Sequence, residues 1–467
     1  MFVATTINKR KRQSSTSMPP AFPKRSDYYV YTSQSNTDFS ELASEKAGNL
    51  EFRKLWLASK KQLDFSDPAT VQQLTRSLLK HDFHLDIDLP NDRLCPPVPV
   101  RWNYVRWLQD LIDTTNGGFT EGYDANRRVT GIDIGTGASC IYPLLACSTR
   151  SNWHMVATDI DSRSLEWARK NIIQNRLESR VQHKHVKASE GLISNLDDLP
   201  KDRSSDFVMM NPPFFDSEDD MRKTYQKDRP PNAVCLGSEN EMIYSSGINT
   251  DDGGHGGDLG FVMRLFNESL RLRQRVQWYS AMLGKKSTAE AIVAKLKQHD
   301  INNFAVTNMS AGNQTRRYGV AWSFDDLRPR NDVARHGDLF SSILPMAPAQ
   351  TIEMPLHSQK SAEEKIKQRV AELGTKVSWE WDGKSTTGVL RTSKNCWSRA
   401  ARRKRKFGGD RDEMVESNVA LAVRITAETG KANLRWLQGL DQMIWVSFCG
   451  WLKTGISPIP ALRTDSS

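Results

Sequence analysis

The residues best suited to chemistry are Asn211-Pro212-Pro213-Phe214, which follow the apolar run Asp206-Phe207-Val208-Met209-Met210. That run reads as a buried strand. Two consecutive prolines cannot extend it, because each lacks a ladder N–H and restricts the residue before it, so the chain must break at Asn211. The break parks a carboxamide at the C-terminal end of a strand, where open α/β sheets bind their ligands. The Asn211 oxygen and the Pro212 carbonyl are two neighbouring acceptors, able to take both hydrogens of an exocyclic amine. Pro213 fixes the bend, and Phe214 offers a ring face for a flat base. Such a set suits transfer of a group to an amino nitrogen on a base. An Asn-Pro-Pro sequence alone also makes an ordinary turn, so the upstream sequence has to decide.

Upstream, Val129-Thr130-Gly131-Ile132-Asp133-Ile134 reads as a first strand and runs into Gly135-Thr136-Gly137. Glycines there let the backbone approach a ligand closely, with a helix beginning at Ile141. Trp153 to Thr158 reads as a second strand that ends on Asp159. An acid roughly 20 residues beyond a glycine turn is placed to accept both ribose hydroxyls. A third strand near Val181 to Val186 leads to Ser189 and Glu190, where an adenine would sit. A glycine turn alone is also used by nicotinamide-binding domains. Those usually carry a further glycine where this chain has Cys140. Asp133, Gly135, Gly137, Asp159 and the Asn211–Phe214 break, in this order, point to an S-adenosyl-L-methionine-dependent amino methyltransferase.

These residues need a doubly wound sheet to hold them, and the remaining chain supplies its parts. Segments 129–326 alternate between strand-like and helix-like patterns, as a parallel sheet wrapped by helices does. The expected fold class is therefore α/β: a Rossmann-like class I methyltransferase core, with an N-terminal helical extension and a smaller α+β C-terminal unit. Residues 1–45 read as a disordered basic tail, in which Lys9-Arg10-Lys11-Arg12 is either an import signal or a solvated run. A nuclear location is the corresponding expectation, with the cytoplasm as the other compartment. Over 46–128 a helical extension is expected, with Asp67-Pro68 opening one helix and an amphipathic helix over Arg101 to Ile112. Residues 216–260 read as a long mobile loop, able to close over a substrate. Gln314 to Phe324 reads as an edge strand led by Arg316 and Arg317, and 327–360 as a linker. In the accessory unit, 361–467, Val377–Trp381, Val419–Ile425 and Met443–Phe448 are strand candidates.

The net charge of +10 over 467 residues favours a polyanionic partner. The block Arg399 to Lys406 concentrates that charge in Arg402, Arg403, Lys404 and Arg405. Basic contacts of this kind release counterions from phosphates and bind RNA without reading sequence. An import signal or a solvated loop are the other readings of the same block. The six cysteines show no CxxC pairing and the nine histidines no ligand spacing, so neither disulfides nor a metal is expected. No apolar run approaches membrane-spanning length, and the N-terminus has no apolar secretory core.

The stretches Gly131-Ile132-Asp133-Ile134-Gly135-Thr136-Gly137, Asn103-Tyr104-Val105-Arg106-Trp107, Met210-Asn211-Pro212-Pro213-Phe214-Phe215 and Trp278-Tyr279-Ser280-Ala281-Met282-Leu283-Gly284-Lys285-Lys286 resemble the methyltransferase-like 16 family. The likeness runs from about residue 46 to 326. Members are adenosine methyltransferases acting on U6 spliceosomal RNA, with bacterial relatives acting on large-subunit ribosomal RNA. The resemblance implies that Arg101, Gly135 and Asp159 (where the family usually has Glu) bind the cofactor. It implies that Asn211 holds the target amine and that Arg317 contacts RNA. It also implies a substrate loop rich in arginine, reduced here to the neighbourhood of Arg229. Structured RNA, U6 first, is the expected partner. The rival readings are methylation of ribosomal RNA, of DNA or of a protein glutamine, and a non-catalytic RNA-binding protein.

Overall fold

The structure is a computed structural model that describes residues 39–44, 49–64, 67–193, 205–227, 239–247, 253–311, 315–337, 341–355, 358–406 and 419–457. The basic run at 9–12 and Arg229 lie outside the described residues. An eight-stranded sheet holds β1 (Val129–Ile134), β2 (Trp153–Asp159), β3 (Val181–His185), β4 (Ser205–Met210), β5 (Val276–Leu283), β6 (Asn303–Ala311), β7 (Thr315–Ser323) and β8 (Arg335–His336). Their order is β3-β2-β1-β4-β5-β7-β6-β8. The first five run parallel, and β7 enters antiparallel between β5 and β6. This is the Rossmann-like methyltransferase sheet, and its strand order reverses beside β1, where β1 and β4 open a crevice at their C-terminal ends.

The centre of the sheet is closely built. A Cβ on Gly131 would collide with the Phe207 ring and the Met155 sulfur, so only glycine lets β2 and β4 pack their large side chains across β1. In the helical extension, Asp67 caps the helix Pro68–Phe83 by accepting from Thr70 N at 2.9 Å, with Pro68 in its first turn. The helix Val98–Thr114 is buried on nearly every face rather than being amphipathic. It is held between the helices Pro68–Phe83 and Ile141–Thr149 and strand β6, and Trp102, Tyr104 and Trp107 are all core.

Besides that helix, five expectations are corrected. The tail read over 1–45 is not disordered to its end, because the helix Phe39–Leu42 lies within it and Leu42 and Ala43 join the core. β7 is interior, since Val320, Ala321 and Trp322 are fully buried between β5 and β6 and cannot face solvent. The supposed loop 216–260 contains the helices Glu218–Lys227 and Glu239–Met242, and the helix Gly257–Leu272 already begins within it. Acids in its first turn and the Glu218–Arg222 pair favour the first of these helices despite its polar composition. The segment 327–360 is not simply a linker, because it carries β8 and β9 (Ala349–Glu353). Finally, Met443–Phe448 is helical. Asp441 caps the helix Gln442–Ile456, and Trp445, Phe448, Cys449, Leu452 and Ile456 repeat at helical spacing.

The C-terminal unit is a second, antiparallel sheet of β9 with β10 (Ser378–Asp382), β11 (Thr387–Thr392), β12 (Leu421–Glu428) and β13 (Lys431–Gln438), in the order β10-β11-β12-β13-β9. The helices Gln359–Ala371 and Gln442–Ile456 share its core with Leu390, Val423, Ile425, Leu434 and Trp436. This unit is joined to the first. Glu121 pairs with both Arg424 and Arg435, and Arg435 also donates to the Thr114 carbonyl at 2.9 Å. Arg328 lies 3.9 Å over the Trp436 ring and donates to the Gly439 carbonyl. Among the described residues, no helix is long and apolar enough to cross a membrane, and no cluster of His, Cys, Asp or Glu is arranged to hold a metal.

The junction has a measurable consequence. Glu121→Ala leaves the guanidinium of Arg435, 9% exposed, without its ionic partner. We predict a loss of about 1–3 kcal/mol in stability, with faster amide exchange in β12 and β13 than in β1 and β4. Unchanged exchange in the C-terminal sheet would show that the two units are not coupled through this residue.

Candidate active site

The strands deliver their C-terminal ends to one cavity of about 290 Å³. Its wall includes Arg101, Gly135, Gly137, Asp159, Glu190, Asn211 and Pro213, so the structure brings most of the expected cofactor residues together with the Asn-Pro-Pro break. Pro212 and Phe214 are not on that wall.

The glycine turn forms because Gly135 and Gly137 take φ of +72° and +64°, a region costly for other residues. The Gly135 and Thr136 amides both donate to the Thr158 carbonyl at 2.9 Å, which ties the turn to β2. A Cβ built on Gly135 would meet nothing within 4 Å, so bare backbone faces open space at this point. Cys140 accepts a left-handed φ of +51° just before the helix Ile141–Thr149. It therefore occupies the position of the missing third glycine at some conformational cost.

Two acids support the turn. Asp159 accepts from the Gly137 amide at 2.8 Å and from the Asp161 amide at 2.9 Å. Burial pushes its carboxyl above the ordinary range, and those two amides oppose the rise. Asp133 is fully buried beneath the turn rather than on the cavity wall, and neither of its oxygens has a hydrogen bond of normal geometry. Burial pushes this carboxyl up to about 7, opposed by the nearby Thr136 hydroxyl and reinforced by Asp159. Arg101 is buried, donates to the Tyr142 hydroxyl at 2.8 Å and brings a cation to the cavity wall.

The Asn211 side-chain oxygen is buried on this wall with no hydrogen-bond partner. An orphaned acceptor of that kind is costly unless something supplies a donor. Three residues along the chain, the Phe214 ring carries the Arg317 guanidinium 4.8 Å over its centre. The arginine expected to contact RNA therefore rests on the aromatic ring expected to take a base. Asp258 steadies the neighbouring Gly284 by accepting its amide at 2.8 Å, and Gly284 abuts the same ring. Arg402, Arg403, Lys404 and Arg405 lie on the helix Arg399–Lys406, and of these only the Arg403 side chain is described, as exposed.

Sequence reasoning missed part of the wall. Glu241, Ile243 and Tyr244 come from the insertion between β4 and β5, and Phe261 and Arg264 from the helix after it. Arg264 reaches back to the Glu190 carbonyl at 3.3 Å, and Glu268 one turn later accepts the Ile193 amide at 2.8 Å. Together they clamp the loop after β3. No short motif marks these positions; only the helical spacing of Phe261, Arg264 and Glu268 could have suggested a common face.

Comparison with known proteins agrees with this geometry. A family described as RNA methyltransferase matches residues 26–326. The chain belongs to that family. The U6 small nuclear RNA (adenine-(43)-N(6))-methyltransferase of Schizosaccharomyces pombe is 32% identical over 394 residues, covering 84% of this chain and 94% of the relative. The RNA N(6)-adenosine-methyltransferase METTL16 of Homo sapiens is 37% identical over 295 residues, covering 62% of this chain and 49% of the human protein. The chain thus spans nearly all of the yeast relative but about half of the human one. Among solved structures, the hMettl16 catalytic domain in complex with MAT2A 3′UTR hairpin 1 superposes with a TM-score of 0.53 at 34% identity, over 65% of this chain and 96% of that one.

For this RNA methyltransferase, the buried acid beneath the turn sets a pH dependence. The folded chain retains a proton on Asp133 between 3.8 and about 7, where the unfolded chain has released it. That contribution to stability is complete below the unfolded value and is lost as pH rises through the folded one. We predict that Asp133→Asn removes this part of the pH profile and leaves the variant relatively more stable above neutrality. Urea unfolding midpoints across the interval measure it, and parallel wild-type and variant profiles would count against the assignment.

Proposed function

We propose that this chain is an S-adenosyl-L-methionine-dependent methyltransferase that forms N(6)-methyladenosine in RNA, with U6 small nuclear RNA as its substrate. The observation that carries the reading is the orphaned Asn211 oxygen on a cavity continuous with the Gly135–Gly137 turn. The cavity also fits the donor chemically. Arg101 offers a cation for a carboxylate, Asp159 an acid at the ribose position, and Gly135 an open stretch of backbone. The choice of U6 is supported by the named activity of the Schizosaccharomyces pombe relative, which this chain matches nearly end to end.

When bound, the donor supplies a methyl group made electrophilic by an adjacent sulfonium. Everything else falls to the protein. The adenine amine is a poor nucleophile because its lone pair is delocalised into the ring. The Asn211 oxygen and the Pro212 carbonyl accept its two hydrogens and direct the lone pair at the methyl carbon. Held there, the amine nitrogen would take the methyl as its bond to sulfur gives way with the electron pair left on sulfur, and the nitrogen would then shed one proton to solvent. Fixed alignment of this kind is worth on the order of 7–11 kcal/mol, so a dedicated strong base is not required. The target adenine must leave its stack to reach the cavity. On arrival it would displace the Arg317 guanidinium from the Phe214 ring toward a phosphate, gaining about 1–3 kcal/mol from stacking. The basic helix Arg399–Lys406 would add sequence-independent affinity that weakens with salt. A U6 substrate supports a nuclear location, for which Lys9-Arg10-Lys11-Arg12 would serve as the import signal.

The test is Asn211→Ala. We predict donor binding within about threefold of wild type by calorimetry and a fall of at least roughly a hundredfold in methyl transfer, the scale expected from misalignment. Labelled donor, U6 transcript, ribosomal RNA and nucleoside mass spectrometry give the readout. Transfer at the wild-type rate in the variant, or label on ribosomal RNA or protein but not on U6, would overturn the reading.

A further inference from the structure

We propose that Glu241 binds the ammonium of the donor's amino-acid end, so that a bound donor steadies the strip 239–247 against the cavity wall. The inference rests on the reading that this cavity takes an S-adenosyl donor. Glu241 lies on the cavity wall, on the short helix Glu239–Met242. One of its oxygens lies about 3.5 Å from where a Gly137 Cβ would stand, and the other accepts the Leu94 amide at 3.4 Å. It therefore spans the glycine turn and the N-terminal extension without belonging to either.

The charge around that turn specifies what should come there. Asp159 sits beside Gly137 and Asp133 lies beneath it, so Glu241 makes a third carboxylate about one short turn. Asp159 accepts from the Gly137 and Asp161 amides, Asp161 pairs with Arg93 at 2.6 Å, and the same Arg93 guanidinium acts electrostatically on Glu241. Asp133 is wholly covered and adds only its field. An amino-acid end carries one anion and one cation. Arg101 answers the first, and Glu241 is the carboxylate placed to answer the second through a charge-assisted hydrogen bond.

Glu241 also ties the donor to the catalytic break. The residues after it pair with Phe215, directly behind Phe214: the Phe215 amide donates to the Met242 carbonyl at 3.1 Å and the Tyr244 amide to the Phe215 carbonyl at 2.9 Å. The Tyr244 carbonyl then accepts the Gly257 amide at 2.7 Å, where the next helix starts. A ligand pulling on Glu241 thus steadies the strip that backs the base-binding ring.

The experiment uses the full chain, as wild type and as Glu241→Gln, which keeps shape and removes charge. Three probes are titrated: S-adenosylhomocysteine, its decarboxylated analogue S-adenosyl-3-thiopropylamine, which keeps the ammonium, and methylthioadenosine, which lacks both charged groups. Glu241→Gln should weaken the first two on the order of tenfold and leave the third unchanged. S-adenosylhomocysteine should slow amide exchange at 239–247 in the wild type and not in the variant. Equal weakening of all three probes, or of none, would overturn the role given to Glu241. Failure of the wild type to bind any probe would instead sink the reading of the cavity itself.

Discussion

A buried strand that must stop is the constraint around which this molecule is arranged. β4 is covered on both faces, with Phe207, Val208, Met209 and Met210 all in the core, so it can end only where the backbone is forced to leave the sheet. Pro212 and Pro213 provide that force, and the residue caught at the boundary is Asn211. Its oxygen is buried without a donor, a cost that a structural turn would relieve by rotating the amide or admitting a neighbour. The surroundings do not offer that relief, and they hold the carboxamide ready for an amine brought from outside.

The same logic of deferred satisfaction recurs beneath the glycine turn. Asp133 sits in the first strand with no hydrogen-bond partner of normal geometry, and burial holds its carboxyl near neutrality. Arg101 lies close enough to pull the other way, and its guanidinium is itself fixed by Tyr142. A cavity with fixed charges of both signs and an orphaned acceptor is poorly stabilised by its own contacts. Its groups are organised for a zwitterionic ligand with a polar sugar and a flat base, and the helices around it supply the stability that the site forgoes.

Legibility in the sequence followed how local each signal was. The glycine turn, Asp159 and the Asn-Pro-Pro break are short-range events dictated by φ preferences and side-chain chemistry, and residue types alone place them at strand ends. β6 and β7 were harder to read, because strands buried on both faces lose the alternation that marks a half-exposed strand. Met443–Phe448 misled for a related reason: a run of bulky apolar residues fits a strand until the Asp441 cap and the fourfold repeat to Ile456 are counted together. Glu241 and Arg264 were invisible, since their proximity to Gly137 and Glu190 arises from tertiary return of the chain over more than 70 residues. The basic helix Arg399–Lys406 was plain as charge, and its position in the fold was not.

The C-terminal unit fits this picture as a brace. The helix Val98–Thr114 carries Arg101 near its start and ends at Thr114, whose carbonyl receives Arg435 from β13. From there the chain passes Phe119 and Glu121, both held by the second sheet, before entering β1 and reaching Gly135. Two of the groups that define the donor cavity are therefore the near ends of rigid elements whose far ends, or whose connection, the C-terminal sheet grips. Such a grip resists rotation of the helix relative to β1, a motion that would move Arg101 away from the glycine turn. A unit with none of its described residues on the cavity wall can thus still fix its dimensions, and the pair Glu121–Arg435 is where that mechanical role is concentrated.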